Sequence, residues 1–201
     1  MSTRLVLVSL FAAAGLFLLG DGARIYAKAR VGQFLLQRAW ARTLHGERDV
    51  KPWSWADTSP IARIDFPRQQ RSYIVLNGAS GRTMAWGPGH VDGTALPEQV
   101  GNCVVSAHRD TQFAVLREIE LGDEIVLETR DGKAIRYRVR GHRVANDRDT
   151  SPMIPTRSRM LTLITCYPFD AIAPGGHLRY VVVATPSLSP SGAPAPSPAH
   201  A

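Results

Sequence analysis

Seven short apolar segments between residues 61 and 185 limit the fold of this chain more than any other feature. Most are rich in β-branched residues and bounded by turn residues, which is typical of β-strands. Residues 130–133, Arg-Asp-Gly-Lys, form a predicted hairpin turn between two of them. So many short strands in one small domain predict a mainly β fold whose sheet closes into a barrel. The predicted strands are residues 61–66, 72–77, 101–107, 124–129, 134–144, 160–166 and 178–184.

Two short helices are predicted between these strands, at residues 80–86 and 111–120. In the second, Asp110 or Thr111 is a candidate cap. Phe113, Leu116 and Ile119 share one face of that helix at helical spacing. We therefore expect this face to pack against the barrel.

The segment at residues 5–20 is apolar and carries no charge. It is slightly shorter than the about 20 residues that a membrane-spanning helix needs, and longer than most signal-peptide cores. Because helical sequence continues past it, we favour an uncleaved signal anchor over residues 5–23. A small-x-small site at residues 27–29, Ala-Lys-Ala, leaves a cleaved signal peptide as the alternative.

Residues 24–60 are predicted to form a juxtamembrane helix followed by a linker. The helix, residues 24–44, has Phe34, Leu36 and Trp40 among basic residues, so it either lies on anionic lipid or packs on the barrel. The linker, residues 45–60, is expected to be extended, with its two tryptophans, at positions 53 and 55, packed on the barrel. Residues 186–201 are rich in Pro, Ala and Ser and are expected to be disordered.

The net charge of +7 does not by itself indicate a nucleic-acid partner. Arg136, Arg138 and Arg140 alternate onto one face of a predicted strand. No aromatic stacking platform or nucleic-acid motif accompanies them. We interpret the three arginines as the solvated outer face of a barrel strand and expect no nucleic-acid partner.

A candidate nucleophile lies in the segment LTLITCYPF, residues 161–169. Because proline cannot continue a central strand, Cys166 is expected on the last pleat, where a thiol is rigidly placed and still reachable by substrate. A buried, inert thiol is the alternative for any lone cysteine. We assign that role to Cys103, which lies on the opposite face of its strand from His108. Opposed side-chain directions also argue against a disulfide between Cys103 and Cys166.

Two further residues complement a thiol nucleophile. His108 closes the segment GNCVVSAH, residues 101–108, and Arg179 opens the last predicted strand. A cysteine hydrolase or transferase needs a thiolate, a proton donor for the leaving amine and a cation for the developing oxyanion. Cys166, His108 and Arg179 could supply one role each. The other histidines have no paired metal-ligand spacing, so no metal is expected. Side chains alone fill the three roles, so no other cofactor is expected.

With these motifs, the sequence resembles the sortases. Their TLxTC pattern stands at residues 162–166, and the order His108, Cys166, Arg179 is theirs. The HRDT after position 107, the CYPF from position 166 and the PGGHLRY ending at position 180 resemble class D-like sortases of Gram-negative envelopes. The resemblance covers roughly residues 50–185 and implies an eight-stranded sortase barrel over residues 61–185.

The resemblance implies a cysteine transpeptidase. Its substrate would be an exported protein with a C-terminal sorting signal similar to Leu-Pro-x-Thr-Gly, cut between Thr and Gly. Cys166 would form the thioester, His108 would protonate the departing amine, and Arg179 would donate hydrogen bonds to the substrate or oxyanion. Thr165 would help to line the oxyanion site through its backbone or hydroxyl. The acyl group would pass to an amine on a peptidoglycan stem or another protein.

The resemblance also implies a location and a substrate groove. Residues 1–4 would be cytoplasmic, the anchor would cross the inner membrane once in contact with its lipid, and the catalytic domain would lie in the periplasm. The segment 145–159 matches the loop that walls the groove in sortases, so Met153 and Ile154 are predicted to contact the Leu of the signal. The alternative is that this apolar pair caps the barrel.

Two other classes of protein stay open. A cysteine hydrolase of another family is one, although papain-like enzymes place Cys before His and caspases carry a different motif around the Cys. A non-catalytic, membrane-tethered binding module on a sortase barrel is the other, because a fold never guarantees activity.

Overall fold

A computed structural model of the protein describes residues 3–171, 173 and 175–187. Its strands close into one eight-stranded barrel in the order β1-β2-β3-β4-β7-β8-β6-β5, which confirms the predicted fold class. β2 pairs with β3 and β4 with β7 in parallel, and the other neighbours are antiparallel. The strands are β1 Pro60–Phe66, β2 Arg71–Leu76, β3 Gly89–His90, β4 Asn102–Ser106, β5 Glu124–Thr129, β6 Ala134–Asn146, β7 Met160–Tyr167 and β8 Leu178–Pro186.

Strand β3 is the strand that the sequence pattern did not predict. Two residues carry no periodicity, and this strand forms through a tertiary contact. A Cβ atom on Gly89 would lie 2.3 Å from the carbonyl oxygen of Gly78, so only glycine permits this close approach of two chain segments.

Strand ends differ from the predicted ones by a few residues. β7 continues one residue past Cys166, to Tyr167, so Cys166 is the penultimate residue of its strand and not the last. β8 runs to Pro186, which the predicted tail included. Residues 188–201 of that tail lie outside the described residues.

The two predicted short helices lie close to their predicted positions, and a third, not predicted, follows β6. α2 is Gly81–Met84, with Ser80 accepting a hydrogen bond from the backbone N–H of Thr83. A 3-10 helix spans Gln112–Glu118 and a second spans Ser151–Met153. The predicted inward face is confirmed, since Phe113, Leu116 and Ile119 are all buried. The predicted side-chain cap is wrong: Thr111 holds the capping position without making that bond.

Alternation along the strands divides the barrel into an interior and an outer face. Cys103 and Val105 of β4 lie in the core with Leu161 and Leu163 of β7. Burial raises the pKa of the Cys103 thiol to about 12, which keeps it protonated and unreactive. In this structure both cysteines are free, Cys103 buried and Cys166 partly exposed.

The N-terminal region is one continuous helix, α1 Thr3–Leu44, which includes both the predicted anchor and the predicted juxtamembrane helix. Its N-terminal half exposes large apolar side chains all around its axis, at positions 10, 11 and 16–19. By length and composition α1 is able to cross a membrane. An exposed apolar surface of this extent indicates a lipid or protein partner.

The C-terminal part of α1 packs on the barrel. Leu36, Ala39 and Trp40 are buried, and the side chain of Gln33 donates a hydrogen bond to the carbonyl oxygen of Trp86. A Cβ atom on Gly32 would lie 2.2 Å from the indole ring of Trp86, so the helix approaches the barrel closely there. Of the two interpretations of this segment, the described contacts favour packing on the barrel.

The two linker tryptophans differ in whether they pack on the barrel. The ring of Trp53 lies 4.7 Å from that of Trp86, as predicted for a residue that packs on the barrel. Trp55 is 83% exposed, so its predicted packing is wrong. A turn in which the N–H of Ala56 bonds to the carbonyl of Trp53 directs Trp55 outward.

The arginine stripe on β6 has local partners. Arg136 pairs with Glu124 at 2.5 Å, and Arg138 donates to the carbonyl of Gly122. Arg140 donates to the hydroxyl of Thr185. These contacts support its interpretation as an outer barrel face.

Candidate active site

Strand register brings the three predicted reactive residues to one end of the barrel. Cys166 on β7 and Arg179 on β8 are direct partners in the antiparallel ladder. Ser106 of β4 is level with Ile164 of β7 in the parallel ladder. The N–H of Ala107 donates to the carbonyl of Ile164 at 3.2 Å, which extends that ladder. His108 therefore emerges beside Cys166.

The outer face of β4 and β7 at this end of the barrel is the candidate floor of a substrate groove. Ser106, Ile164 and Cys166 share this face and are partly exposed. Val104 and Thr162, further along the same face, are fully buried under the loops that cross it. This face is thus accessible to solvent at the end where Cys166 and the exposed His108 lie, as the binding of a peptide there would require.

Thr165 lies on the other face of β7. It is buried, and its hydroxyl donates a hydrogen bond to the carbonyl of Ala107 at 2.8 Å. The part of the prediction that gave this hydroxyl to the oxyanion is wrong, since a hydroxyl has one proton to donate and it is used here. Thr165 instead ties the cysteine strand to the residue before His108. A contribution from its backbone stays a prediction.

Arg179 is fixed by its own loop. Its Nη1 donates to the carbonyls of Gly176 at 2.6 Å and Leu178 at 2.9 Å. Its Nη2 lies 3.9 Å from the Asp147 carboxylate, which also accepts from Nδ1 of His177. The bond from His177, and the charge of Arg179, lower the pKa of Asp147. Asp147 is therefore an ionised counter-charge that fixes one side of the guanidinium.

The loop that carries Met153 and Ile154 is attached to the groove floor. Asn102 of β4 donates to the carbonyl of Pro152 at 2.8 Å and to that of Ile154 at 3.2 Å, and accepts from the Thr162 hydroxyl. Ile154 is 58% exposed, and neither apolar side chain belongs to the core. These facts disfavour the alternative in which the pair caps the barrel.

Sequence reasoning missed two residues that shape this site, Asn102 and Arg109. Both side chains are buried and make several hydrogen bonds. For Asn102 a signal was present, because a polar residue at the start of an apolar strand usually bonds to something specific. For Arg109 the chain shows no local signal, because its backbone partners lie 59 to 64 residues away.

His90 has a structural role. His90 is buried, with Nε2 at 3.0 Å from both the Ala95 carbonyl and the Thr94 hydroxyl. Among the described residues, no group of three His, Cys, Asp or Glu side chains could hold a metal ion.

Comparison with known proteins agrees with this geometry. The family model of the Sortase domain matches residues 64–187. Sortase D of Bacillus subtilis (strain 168) is 28% identical over 120 residues, a match that covers 59% of this chain and 60% of that relative. The chain therefore spans only about three fifths of the length of this relative.

Solved structures give the same result. The catalytic domain of B. anthracis SrtD is 32% identical, with a TM-score of 0.55 over 64% of this chain and 87% of that one. Sortase A from Corynebacterium diphtheriae is 26% identical, with a TM-score of 0.61 over 74% of this chain and 70% of that one.

A closed eight-stranded barrel with a cysteine near the end of β7 is the fold of a class of cysteine transpeptidases. The chain belongs to the sortase family, and within it the chain is class D-like.

Proposed function

We propose that this protein is a membrane-anchored sortase that cleaves an LPxTG-like C-terminal sorting signal of an exported protein and transfers the acyl group to an amine on the cell envelope. The observation that carries the proposal is the register of β4, β7 and β8. It brings a partly exposed thiol, an exposed imidazole and a guanidinium to the open end of one groove. No residue of the chain is needed in more than one of the three roles.

The first half-reaction is acylation of Cys166. The Cys166 thiol gives its proton to His108, the thiolate attacks the Thr carbonyl carbon of the signal, and the Thr–Gly C–N bond breaks. The imidazolium of His108 gives its proton to the departing Gly amine. Arg179 donates N–H groups toward the substrate carbonyl, where negative charge develops in the transition state.

The second half-reaction releases the thiol. An incoming amine attacks the thioester carbonyl, His108 accepts the amine's proton, and the C–S bond breaks to return Cys166. The acceptor amine would belong to a peptidoglycan stem or to another protein. Each proton and bond is accounted for by the three side chains and the two substrates.

The proposed location is the inner membrane, with α1 crossing it once and the barrel in the periplasm. Support comes from the exposed apolar half of α1 and from the contacts of its other half with the barrel. Since one helix joins both halves, the groove would keep a fixed position near the lipid. Alkaline extraction of bacterial membranes tests this: an anchored protein stays in the pellet, and a mature soluble form beginning near residue 30 would contradict it.

A peptide assay tests the proposed activity. Wild-type protein is incubated with an LPxTG-like peptide, with and without an added amine such as triglycine. We expect a cleaved peptide and, with amine present, a new amide product. Cleavage without any aminolysis would indicate a hydrolase of another type. Binding without cleavage would indicate a non-catalytic module.

Arg179→Lys should lose at least about 10²-fold in kcat/KM although the charge remains. A guanidinium offers five N–H donors in one plane, so it bonds the Gly176 and Leu178 carbonyls and still has donors for the substrate. An ammonium on a shorter, flexible chain cannot do both. Peptide turnover measures the loss. Arg140→Lys, on the outer barrel face, is the matched control and should stay near wild type. Near-normal turnover of the Arg179 variant would contradict the geometric role.

Replacing Met153 and Ile154 together with Ser should raise KM for the signal peptide and change its preference at the first position. The reason is that the exposed Ile154 and its neighbour form the apolar part of the groove wall. Thermal stability should change little, because neither side chain lies in the core. Leu121→Ser, on another surface and 66% exposed, is the control for loss of surface apolar area. Lower stability with unchanged peptide preference would contradict the assignment.

A further inference from the structure

Arg109 is buried immediately beside the exposed His108. Its side chain is only 5% exposed, and it points away from the solvent that His108 faces. A charged side chain this deep in a protein is costly unless every donor finds a partner. The position of those partners shows what the residue does.

All three main-chain partners of Arg109 belong to the loop that follows Cys166. Nη1 donates to the carbonyl of Pro168 at 3.0 Å. Nη2 donates to the carbonyls of Ala171 at 2.9 Å and Ala173 at 3.0 Å. Nε faces the exposed carboxylate of Asp110 at 3.2 Å. One guanidinium therefore joins the segment that carries His108 to the segment that leads from Cys166 to Arg179.

This loop would be mobile without a clamp. It contains Gly175, at φ +85°, next to Gly176, and such a pair loses much conformational freedom on ordering. The planar guanidinium of Arg109 has several N–H donors and can bond three carbonyls at once. A lysine ammonium does not have that geometry. The loop also sets the entry to β8, and so the position at which Arg179 begins its strand.

We propose that Arg109 is a positioning residue of the transpeptidase: it fixes the loop between Cys166 and Arg179 against the His108 segment and so sets the spacing of the three reactive side chains. The inference rests on the proposed function and deepens it. Arg109 touches no reacting atom. Arg109 acts by holding the reactive side chains in position. A displacement of a reactive group by about 1 Å can lower the rate about 10²-fold.

The test compares Arg109→Lys with Arg159→Lys. Arg159 is a matched control because it also donates to three backbone carbonyls, those of Pro97, Glu98 and Gln99. It precedes β7, about 20 Å of strand from Cys166. Arg109→Lys should lower kcat by about tenfold to 10²-fold, with KM changed less than about threefold. Arg159→Lys should keep kcat within about twofold.

Hydrogen exchange is the second readout and needs no activity. Peptides that cover residues 167–178 should exchange faster in Arg109→Lys than in wild type, while those of β4 and β7 stay protected. In Arg159→Lys the faster exchange should instead appear around residues 96–100. If Arg109→Lys does not fold, Arg109→Met replaces it, because an apolar side chain of similar volume leaves no uncompensated charge.

Three results would overturn the proposal: a kcat within twofold of wild type, an equal loss of kcat in the two lysine variants, or unchanged exchange in residues 167–178. Failure of the proposed function looks different, because wild-type protein itself would then not turn over peptide. The exchange comparison alone would still decide whether Arg109 fixes the loop.

Discussion

Cys166→Ala should abolish both cleavage of the signal peptide and transfer to an amine, by at least about 10³-fold. The substitution removes the only proposed nucleophile, and no neighbouring group can form the thioester in its place. The fold should survive, because Cys166 lies partly exposed on the outer face of β7 and outside the core. Peptide turnover and thermal unfolding of the purified variant measure the two effects.

Cys103→Ala is the matched control for loss of a thiol. Cys103 is buried in the core, so its replacement should cost stability and leave turnover near wild type. The two cysteine variants should therefore show opposite patterns. If Cys166→Ala kept more than a tenth of wild-type activity, Cys166 would have no place in the mechanism.

His108→Ala should lose about 10³-fold or more in turnover, since His108 is the proposed proton donor to the leaving amine. The imidazole is exposed at the groove end, and its removal creates no cavity in the barrel. The free energy of unfolding of His108→Ala should therefore be unchanged within about 0.5 kcal/mol.

Single-turnover kinetics of His108→Ala with the signal peptide would show whether the lost step is acylation.

His45→Ala gives the reference for loss of an exposed histidine. It lies at the end of α1, where its ring bonds to the Ala41 carbonyl far along the chain from the groove. We expect normal turnover in this variant. A His108 variant that behaved like the His45 variant would show that another group transfers the proton.

The barrel could be predicted because its strands carry their own signal. The β-branched runs that became β1, β7 and β8 alternate or stay largely apolar over six or more residues, and β5 has the apolar run 125–127 between polar residues. The hairpin at Gly132 needs a positive φ, and a glycine stood at that position in the sequence. Local chemistry was sufficient for each of these elements.

Other features depend on contacts between distant parts of the chain. β3 exists because Gly89 approaches Gly78, and a two-residue strand leaves no pattern to read. The hydroxyl of Thr165 bonds 58 residues away, to Ala107, so the motif alone could not show that it was engaged. Trp53 and Trp55 are equivalent as sequence, yet Trp53 packs on Trp86 while Trp55, two residues further on, is exposed.

The residues of the candidate site also fall into two groups, those that the local sequence indicates and those that depend on distant contacts. His108, Cys166 and Arg179 could be named because each closes or opens a predicted strand. Their meeting at one barrel end depends on the parallel pairing of β4 with β7, which sequence alone does not fix. Arg109 and Asn102, which attach the surrounding loops, became visible only through their hydrogen bonds to distant carbonyls.

Intact-mass analysis of the acid-quenched enzyme tests the central claim most directly. Wild-type protein is mixed with excess LPxTG-like peptide in the absence of an amine and quenched within the first turnover. We predict a mass increase equal to the peptide fragment ending in Thr, less one water, located on Cys166 by peptide mapping and removed by hydroxylamine. Turnover without such an adduct, or with the adduct on a residue other than Cys166, would contradict the account.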